Sequence, residues 1–231
     1  MSNRLRAALF LNGRYDLSAR AFYERSARQA NTVCVFADGG AETLEWLDAA
    51  PNAALIIGDF DSFNLSALED SSFAHIERRW EGQTDKDLTD GQLALHAALE
   101  LQRRKIDIHG AFPRQDAFDH DHFLGNMLLL YEAHDLGAEA RLSEPKEALY
   151  LCVEKLSLRR KGSGLNRVSF LPFAGEARVC WTEGLRWPLL SFSLSNRRAN
   201  ALRNEFLPDA DHVRIQLDER SPPVYVAHNW S

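Results

Sequence analysis

The stretch Ala54-Leu-Ile-Ile-Gly-Asp-Phe-Asp-Ser62 restricts the fold more than any other part of the chain. Ala54 to Ile57 are apolar without alternation, the pattern of a strand covered on both faces, and such strands belong to parallel sheets flanked by helices. Gly58 lets the chain turn without a side chain in the way. In open α/β sheets ligands occupy the crevice beyond the carboxyl ends of the strands, which puts Asp59 and Asp61 where chemistry is usually done. Two carboxylates held this close repel each other unless a cation or a proton lies between them. A hard divalent ion with oxygen ligands suits them, which points to a magnesium site.

The rest of the chain bounds what such a site can serve. With 231 residues, 45% of them hydrophobic, it can bury the core of one large domain or two modest ones. A formal net charge of -6 argues against general nucleic-acid binding, which rests on clustered Lys and Arg meeting phosphates. An acidic protein handles a polyphosphate only if a metal bridges the two anions. Cys34, Cys152 and Cys180 lie far apart and form no CxxC pair, as expected of reduced thiols in a cytoplasmic protein. No apolar run reaches membrane-spanning length, and the one near Met1 is too short for the core of a signal peptide.

In chain order, Leu5 to Leu11 reads as a first strand and Leu17 to Gln29 has helical spacing. Thr32 to Phe36 is a β-branched buried strand running into Ala37-Asp38-Gly39-Gly40-Ala41, after which Glu42 to Leu47 resumes helical spacing. Strand, glycine turn and helix make the geometry in which a phosphate approaches backbone N–H groups, although a plain βα turn has the same sequence. A short helix is expected from about Asn64 and a strand from Phe73 to Trp80. Thr84-Asp-Lys-Asp-Leu-Thr-Asp90 then opens a helix with Leu88, Leu95, Ala98 and Leu99 on its apolar face. Thr84 or Asp85 would cap it. Three aspartates, a lysine and a threonine in seven residues exceed what one helix end needs. A divalent ion with a phosphate chain would use them all.

Ile106 to Gly110 reads as another short strand, and Asp119-His-Asp-His-Phe-Leu-Gly-Asn126 runs into the apolar Met127 to Tyr131 of a helix. The alternating Asp and His point to different sides of a helix and do not gather one zinc ion, whereas Asp121 and Asn126 diverge only modestly. From about Glu139 the texture becomes short alternating segments, Leu149 to Val153, Val168 to Phe173, Ala177 to Trp181, Leu189 to Leu194, His212 to Leu217 and Val224 to Ala227, punctuated by Gly and Pro. That is an all-β module, a sandwich. The fold expected is an α/β, Rossmann-like parallel-sheet domain over residues 1–144, followed by an all-β sandwich domain over 145–231.

With these pieces in place, the sequence resembles the thiamine pyrophosphokinase family. Ala37-Asp-Gly-Gly-Ala41, Gly58-Asp-Phe-Asp-Ser62, Lys86-Asp-Leu-Thr-Asp90 and Asp121-His-Phe-Leu-Gly-Asn126 look like the four N-terminal motifs of that family, in its order. Phe170-Leu-Pro-Phe173, Gly184-Leu-Arg-Trp-Pro-Leu189 and Ala201-Leu-Arg-Asn-Glu-Phe206 look like segments of its β domain. The resemblance implies transfer of pyrophosphate from ATP to the hydroxyl of thiamine, magnesium as cofactor, and a homodimer with active sites at the subunit interface. It implies no nucleic-acid or membrane partner.

By motif match, Asp59, Asp61, Asp87 and Asp90 become the catalytic acids, with Asp59, Asp61 and Asp87 on the metal. Asp38, Gly39, Gly40, Ser62, Lys86 and Thr89 fall on the ATP and polyphosphate side, Asp121 and Asn126 on the alcohol, and Asn204 where the β domain approaches thiamine. Trp187, Tyr225 and Trp230 are the candidates for an aromatic partner to the pyrimidine ring, with core packing the alternative for each. Two departures stand out. Ala117-Phe118-Asp119 occupies the place of the family's Gly-Gly-Arg, and Arg203 replaces a small serine. They leave open another acceptor alcohol, such as a hydroxymethyl pterin, or a catalytically impaired ligand-binding homologue. A metal-dependent phosphatase with Asp59 as nucleophile is disfavoured, because its acidic pair would follow the first strand.

Overall fold

The computed structural model describes residues 5–47, 53–58, 76–80, 88–112 and 120–231. The chain divides into two compact units, Met1–Pro145 and Lys146–Ser231.

Among the described residues the first unit has six parallel strands: β1 (Arg6–Phe10), β2 (Thr32–Ala37), β3 (Ala54–Gly58), β4 (Glu77–Trp80), β5 (Lys105–His109) and β6 (Glu139–Ser143). Their spatial order is β6-β5-β1-β2-β3-β4, each pair parallel, with Arg6 opposite both Thr32 and Lys105. Every residue of β2 is buried, as are the last four of β1, β3 and β5, so these apolar runs form a sheet covered on both faces. One core cluster gathers Phe10, Cys34, Phe36 and Ile56 with Tyr23 and Leu44, and the Phe10 and Phe36 rings stack with centroids 4.9 Å apart. The chain places β1 to β4 on one side and then returns to add β5 on the other flank of β1. This reversal of strand order is a switch point, and it opens the crevice at the carboxyl ends of β1 and β5.

Three α-helices are described in this unit: α1 (Arg20–Ala27), α2 (Asp90–Glu100) and α3 (His120–Asp135). Several sequence-based expectations are corrected here. The segment Asp38–Trp46 is a 3-10 helix rather than an α-helix resuming at Glu42. The Thr43 hydroxyl donates to the Gly40 carbonyl at 2.8 Å, a local bond that competes with the α ladder. Thr89, not Thr84 or Asp85, caps α2. Its hydroxyl accepts the Gln92 N–H while the Gln92 side chain accepts the Thr89 N–H, a complete capping box. Leu88 therefore precedes the helix and is 40% exposed instead of joining its apolar face. β6 lies before the expected domain boundary at residue 144 and belongs to the parallel sheet. It pairs with β5 so that Asp107 faces Arg141, and the carboxylate binds both Arg141 and Arg6. The helix expected from about Asn64 lies outside the described residues.

The second unit holds two antiparallel sheets. One runs β12 (Asn204–Glu205), β9 (Asn166–Leu171), β14 (Val224–Trp230), β7 (Glu147–Cys152). The other runs β11 (Leu190–Leu194), β10 (Ala177–Glu183), β13 (His212–Leu217), β8 (Lys155–Arg159). Alternate residues, among them Leu158, Val168, Phe170, Val179, Val213, Ile215 and Val226, meet in a shared core, the arrangement of a β-sandwich. β8 went unread in the sequence because its polar residues, Lys155, Ser157 and Arg159, disguise a strand that buries only Leu158 fully. No helix among the described residues is long and apolar enough to cross a membrane.

Candidate active site

The carboxyl edge of the parallel sheet is assembled from strand exits. β1 leads into Leu11, Asn12 and Gly13, β2 into Asp38, β3 ends at Gly58, and β5 leads into Gly110 and Ala111. These exits are packed tightly. A Cβ on Gly39 would lie 2.5 Å from Asn12 Nδ2, and one on Gly40 would strike the Phe10 carbonyl, so both glycines admit the end of β1. Asn12, missed in the sequence reading, was detectable as the polar residue that directly follows a buried strand.

Asp38 is the most informative residue of this edge. It is 3% exposed, takes φ +43°, and its Oδ1 is buried with no hydrogen-bond partner among the described residues. A non-glycine residue at positive φ and an unpartnered buried carboxylate oxygen each cost free energy. Both persist only where the surroundings hold them, and strain of this kind concentrates at functional sites. Gly58, at φ +147°, lies against Asp38, so the buried carboxylate stands beside the residue that leads into Asp59.

Helix starts supply the neighbouring groups. Asp90 opens α2 half-buried, and the Thr89 hydroxyl oxygen accepts the Gln92 N–H at 3.3 Å, which leaves its proton to donate elsewhere. Asn126, on α3, donates Nδ2–H to the Ala111 carbonyl at 3.0 Å. Its Oδ1 lies 3.5 Å from where a Cβ on Gly91 would stand. Asn126 thus joins the exit of β5 to the first turn of α2. Asp121 is exposed in the first turn of α3 and accepts the His122 N–H at 3.0 Å. Asp59, Asp61, Ser62, Lys86 and Asp87 lie outside the described residues, as do Ala117 to Asp119. Among the described residues no group of three or more His, Cys, Asp or Glu could hold a metal ion.

Two buried ionisable groups flank the edge without reaching it. Burial alone would raise the pKa of Asp107, but the guanidiniums of Arg141 and Arg6 outweigh it and hold the carboxyl below its ordinary value. His109 is fully buried and its pKa is lowered chiefly by that burial. Its Nδ1 meets the Ser143 carbonyl at 2.6 Å and therefore carries the proton, and Nε2 accepts from the Ser26 hydroxyl at 2.7 Å.

In the second unit Asn204 is buried and its amide is committed to its own chain. Oδ1 accepts the N–H groups of Trp187 and Glu205, and Nδ2 donates to the Trp187 carbonyl at 2.6 Å. What it holds up is Trp187, 52% exposed, with the Arg186 guanidinium over the ring at 4.9 Å. Tyr225, 1% exposed, is a core residue, and Trp230 packs beside the buried His228. Of the three aromatic candidates, only Trp187 stands free of the sandwich core. Arg203 takes φ +57° and donates its N–H to the Ser169 hydroxyl at 2.9 Å.

A parallel sheet with a switch point and an acidic carboxyl edge, followed in the chain by a β-sandwich, defines a two-domain protein of α/β and all-β parts. Comparison with known proteins makes this specific. The model of the thiamin pyrophosphokinase catalytic domain matches residues 24–142, and that of the thiamin pyrophosphokinase vitamin B1 binding domain matches residues 156–221. The chain belongs to the thiamin pyrophosphokinase family, and with it to the enzymes that transfer pyrophosphate. It is 28% identical to the thiamine pyrophosphokinase of Bacillus subtilis (strain 168) over 181 residues, 77% of this chain and 79% of that one. The crystal structure of thiamine pyrophosphokinase from Bacillus subtilis shares the fold with TM-score 0.78 at 20% identity, covering 98% of this chain and 99% of that one. That of the Geobacillus thermodenitrificans enzyme does so with TM-score 0.76 at 20% identity, covering 98% and 97%.

Proposed function

We propose that the protein transfers the pyrophosphoryl group of ATP to the hydroxyl of thiamine, giving thiamine diphosphate and AMP. The observation that carries this reading is the match of one chain to both a catalytic and a vitamin B1 binding domain of the same family. The acceptor hydroxyl attacks the β-phosphorus in line, and the protein's work is positioning and charge neutralisation.

The first unit is the ATP side. Asp59, Asp61 and Asp87 would hold magnesium, and the unpartnered buried oxygen of Asp38 beside Gly58 fits a site that receives a cation. Magnesium there would neutralise phosphate charge and lower the pKa of a bound hydroxyl. The start of α2 adds the positive end of its dipole, the Thr89 hydroxyl proton and Asp90, with Lys86 and Ser62 reaching phosphate oxygens. Asp121 and Asn126 orient the acceptor. The second unit, residues 146–231, supplies the thiamine side. Trp187 presents an exposed ring for stacking, with Asn204 fixing the loop that carries it. The active form is a cytoplasmic homodimer.

An AMP-release assay with ATP, magnesium and thiamine tests the proposal, run beside the Asp59→Ala, Asp61→Ala double variant. Thiamine diphosphate formed by the wild type and absent with the variant supports both reaction and metal set. Magnesium-dependent ATP binding without turnover transfers the reading to another alcohol acceptor, and absence of ATP binding overturns it.

A further inference from the structure

Glu144 follows β6 and buries its carboxylate to 5% exposure. Its Oε1 accepts the Gly110 N–H at 2.7 Å, and its Oε2 accepts the Tyr23 hydroxyl at 2.6 Å. Tyr23 is fully buried, and its oxygen accepts the Asp16 N–H at 3.1 Å. Burial, reinforced by the charge of Glu144, pushes the Tyr23 phenol well above its ordinary pKa, so it stays a donor to the carboxylate.

Gly110 is the first residue beyond β5, at φ +67°, on the switch-point crevice. Two peptide units on, the Ala111 carbonyl receives the Asn126 amide at 3.0 Å. A set of bonds therefore runs from α1 through Tyr23 and Glu144 to Gly110, and two peptides further along the chain to Asn126. His109, just before Gly110, is tied to Ser143 and Ser26, so the β5 exit is held from β6 and from α1 at two adjacent residues.

A buried charge is a poor device for stability alone. A buried ion pair replaced by well-packed apolar groups often leaves a fold as stable or more so. What an ionised acceptor provides is direction, because one charge-assisted bond fixes the plane of the peptide whose N–H it receives and so the start of the turn beyond it.

We propose that Glu144 is a positioning residue of pyrophosphoryl transfer: by holding the Gly110 N–H it sets the Ala111 carbonyl, and through it the Asn126 side chain at the acceptor's place. The inference rests on the thiamine pyrophosphokinase reading and assigns Glu144 no contact with substrate. It separates two variants that damage the same buried pair. Glu144→Ala removes the acceptor of Gly110, whereas Tyr23→Phe removes the phenolic donor to Glu144 and leaves that acceptor in place.

The test compares wild type, Glu144→Ala, Glu144→Gln and Tyr23→Phe by steady-state kinetics, thermal unfolding and the Gly110 amide signal in NMR. Glu144→Ala is expected to lower kcat by about tenfold, the value of one charge-assisted bond, with the KM for ATP unchanged. Glu144→Gln, which keeps an acceptor for Gly110, restores most of that loss. Tyr23→Phe lowers thermal stability while kcat stays within about twofold of wild type. A Glu144→Ala enzyme with wild-type kcat, or a Tyr23→Phe enzyme equally impaired, overturns the inference. Should the wild type form no thiamine diphosphate, the functional reading fails by itself. The positioning claim is then judged on the amide: it stands if the Gly110 proton is shifted downfield and protected in wild type and Tyr23→Phe but not in Glu144→Ala, and it falls otherwise.

Discussion

Asp38 packs against Gly58: a Cβ on Gly58 would lie 3.1 Å from the Asp38 Cβ, with the glycine at φ +147°. The conformation strains any side chain there, and Asp38 would have to give by a few tenths of an ångström to admit one. Gly58→Ala is therefore expected to destabilise the protein by about 1–3 kcal/mol, the cost of a residue held in a conformation open essentially to glycine. Urea unfolding measures it. A loss under half a kilocalorie would show that the turn relaxes without strain.

Asp38 itself carries a buried oxygen without a partner among the described residues and a backbone at φ +43°. Asparagine tolerates the left-handed region and brings no charge, so Asp38→Asn should match or exceed wild-type thermal stability in the absence of magnesium. The same change should weaken magnesium-dependent ATP binding by about tenfold or more, on the scale of one charged contact. Calorimetric titration with ATP, with and without magnesium, checks this. Equal affinities would remove Asp38 from the nucleotide site.

The strands that organise this site were readable because their physics is local. Ala54 to Ile57 declares a doubly covered strand, and the alternating burial of Asn166–Leu171 follows its alternating side chains. What escaped depended on partners far along the chain. β6 falls before the expected boundary at residue 144, but only its pairing with β5, where Asp107 meets Arg141 34 residues away, makes it a strand of the parallel sheet. The 3-10 geometry after Asp38 follows in part from Gly40 yielding to the Phe10 carbonyl, a contact no window of sequence contains. The cap of α2 was legible and was misplaced. Thr84 and Thr89 stand in similar acidic surroundings, and the discriminating residue was Gln92, three past the true cap.

Thr89 has two tasks that substitutions can separate. Its oxygen caps α2, and its proton is assigned to phosphate. Thr89→Ala should cost about 1 kcal/mol of stability, the usual loss of a cap. Thr89→Asn keeps a capping oxygen and should keep the melting temperature, yet both variants should lose kcat. A Thr89→Asn enzyme as active as wild type would leave the hydroxyl with capping alone.

Trp187 stands out of the sandwich with Arg186 over its ring. Trp187→Ala should raise the KM for thiamine by up to about tenfold, the range of one aromatic stack, with the KM for ATP unchanged, and Trp187→Phe should recover part of it. Equal effects on both substrates would mean that the loop, rather than the ring, had been lost.

His228 makes the stability of the second unit sensitive to acid. Asn166 Oδ1 accepts the Lys161 N–H, and its Nδ2 donates to the Lys161 and Gly164 carbonyls, so that oxygen can only accept from His228 Nε2 at 2.8 Å. Nε2 therefore carries the proton, and Nδ1 is a buried lone pair without a partner among the described residues. Burial first, and the Lys161 ammonium second, pull the pKa of His228 down to about 4 from the ordinary 6.5. Between those values the unfolded chain binds a proton that the folded chain refuses, so stability rises with pH across this window. The contribution is complete above pH 6.5 and is lost as pH falls towards 4, amounting to roughly 3 kcal/mol at about 1.4 kcal/mol per unit. Urea unfolding from pH 7 to pH 4.5 should show wild type losing more stability than His228→Gln, which cannot titrate there. Parallel profiles for the two would mean that His228 charges in place without cost, against the burial that surrounds it.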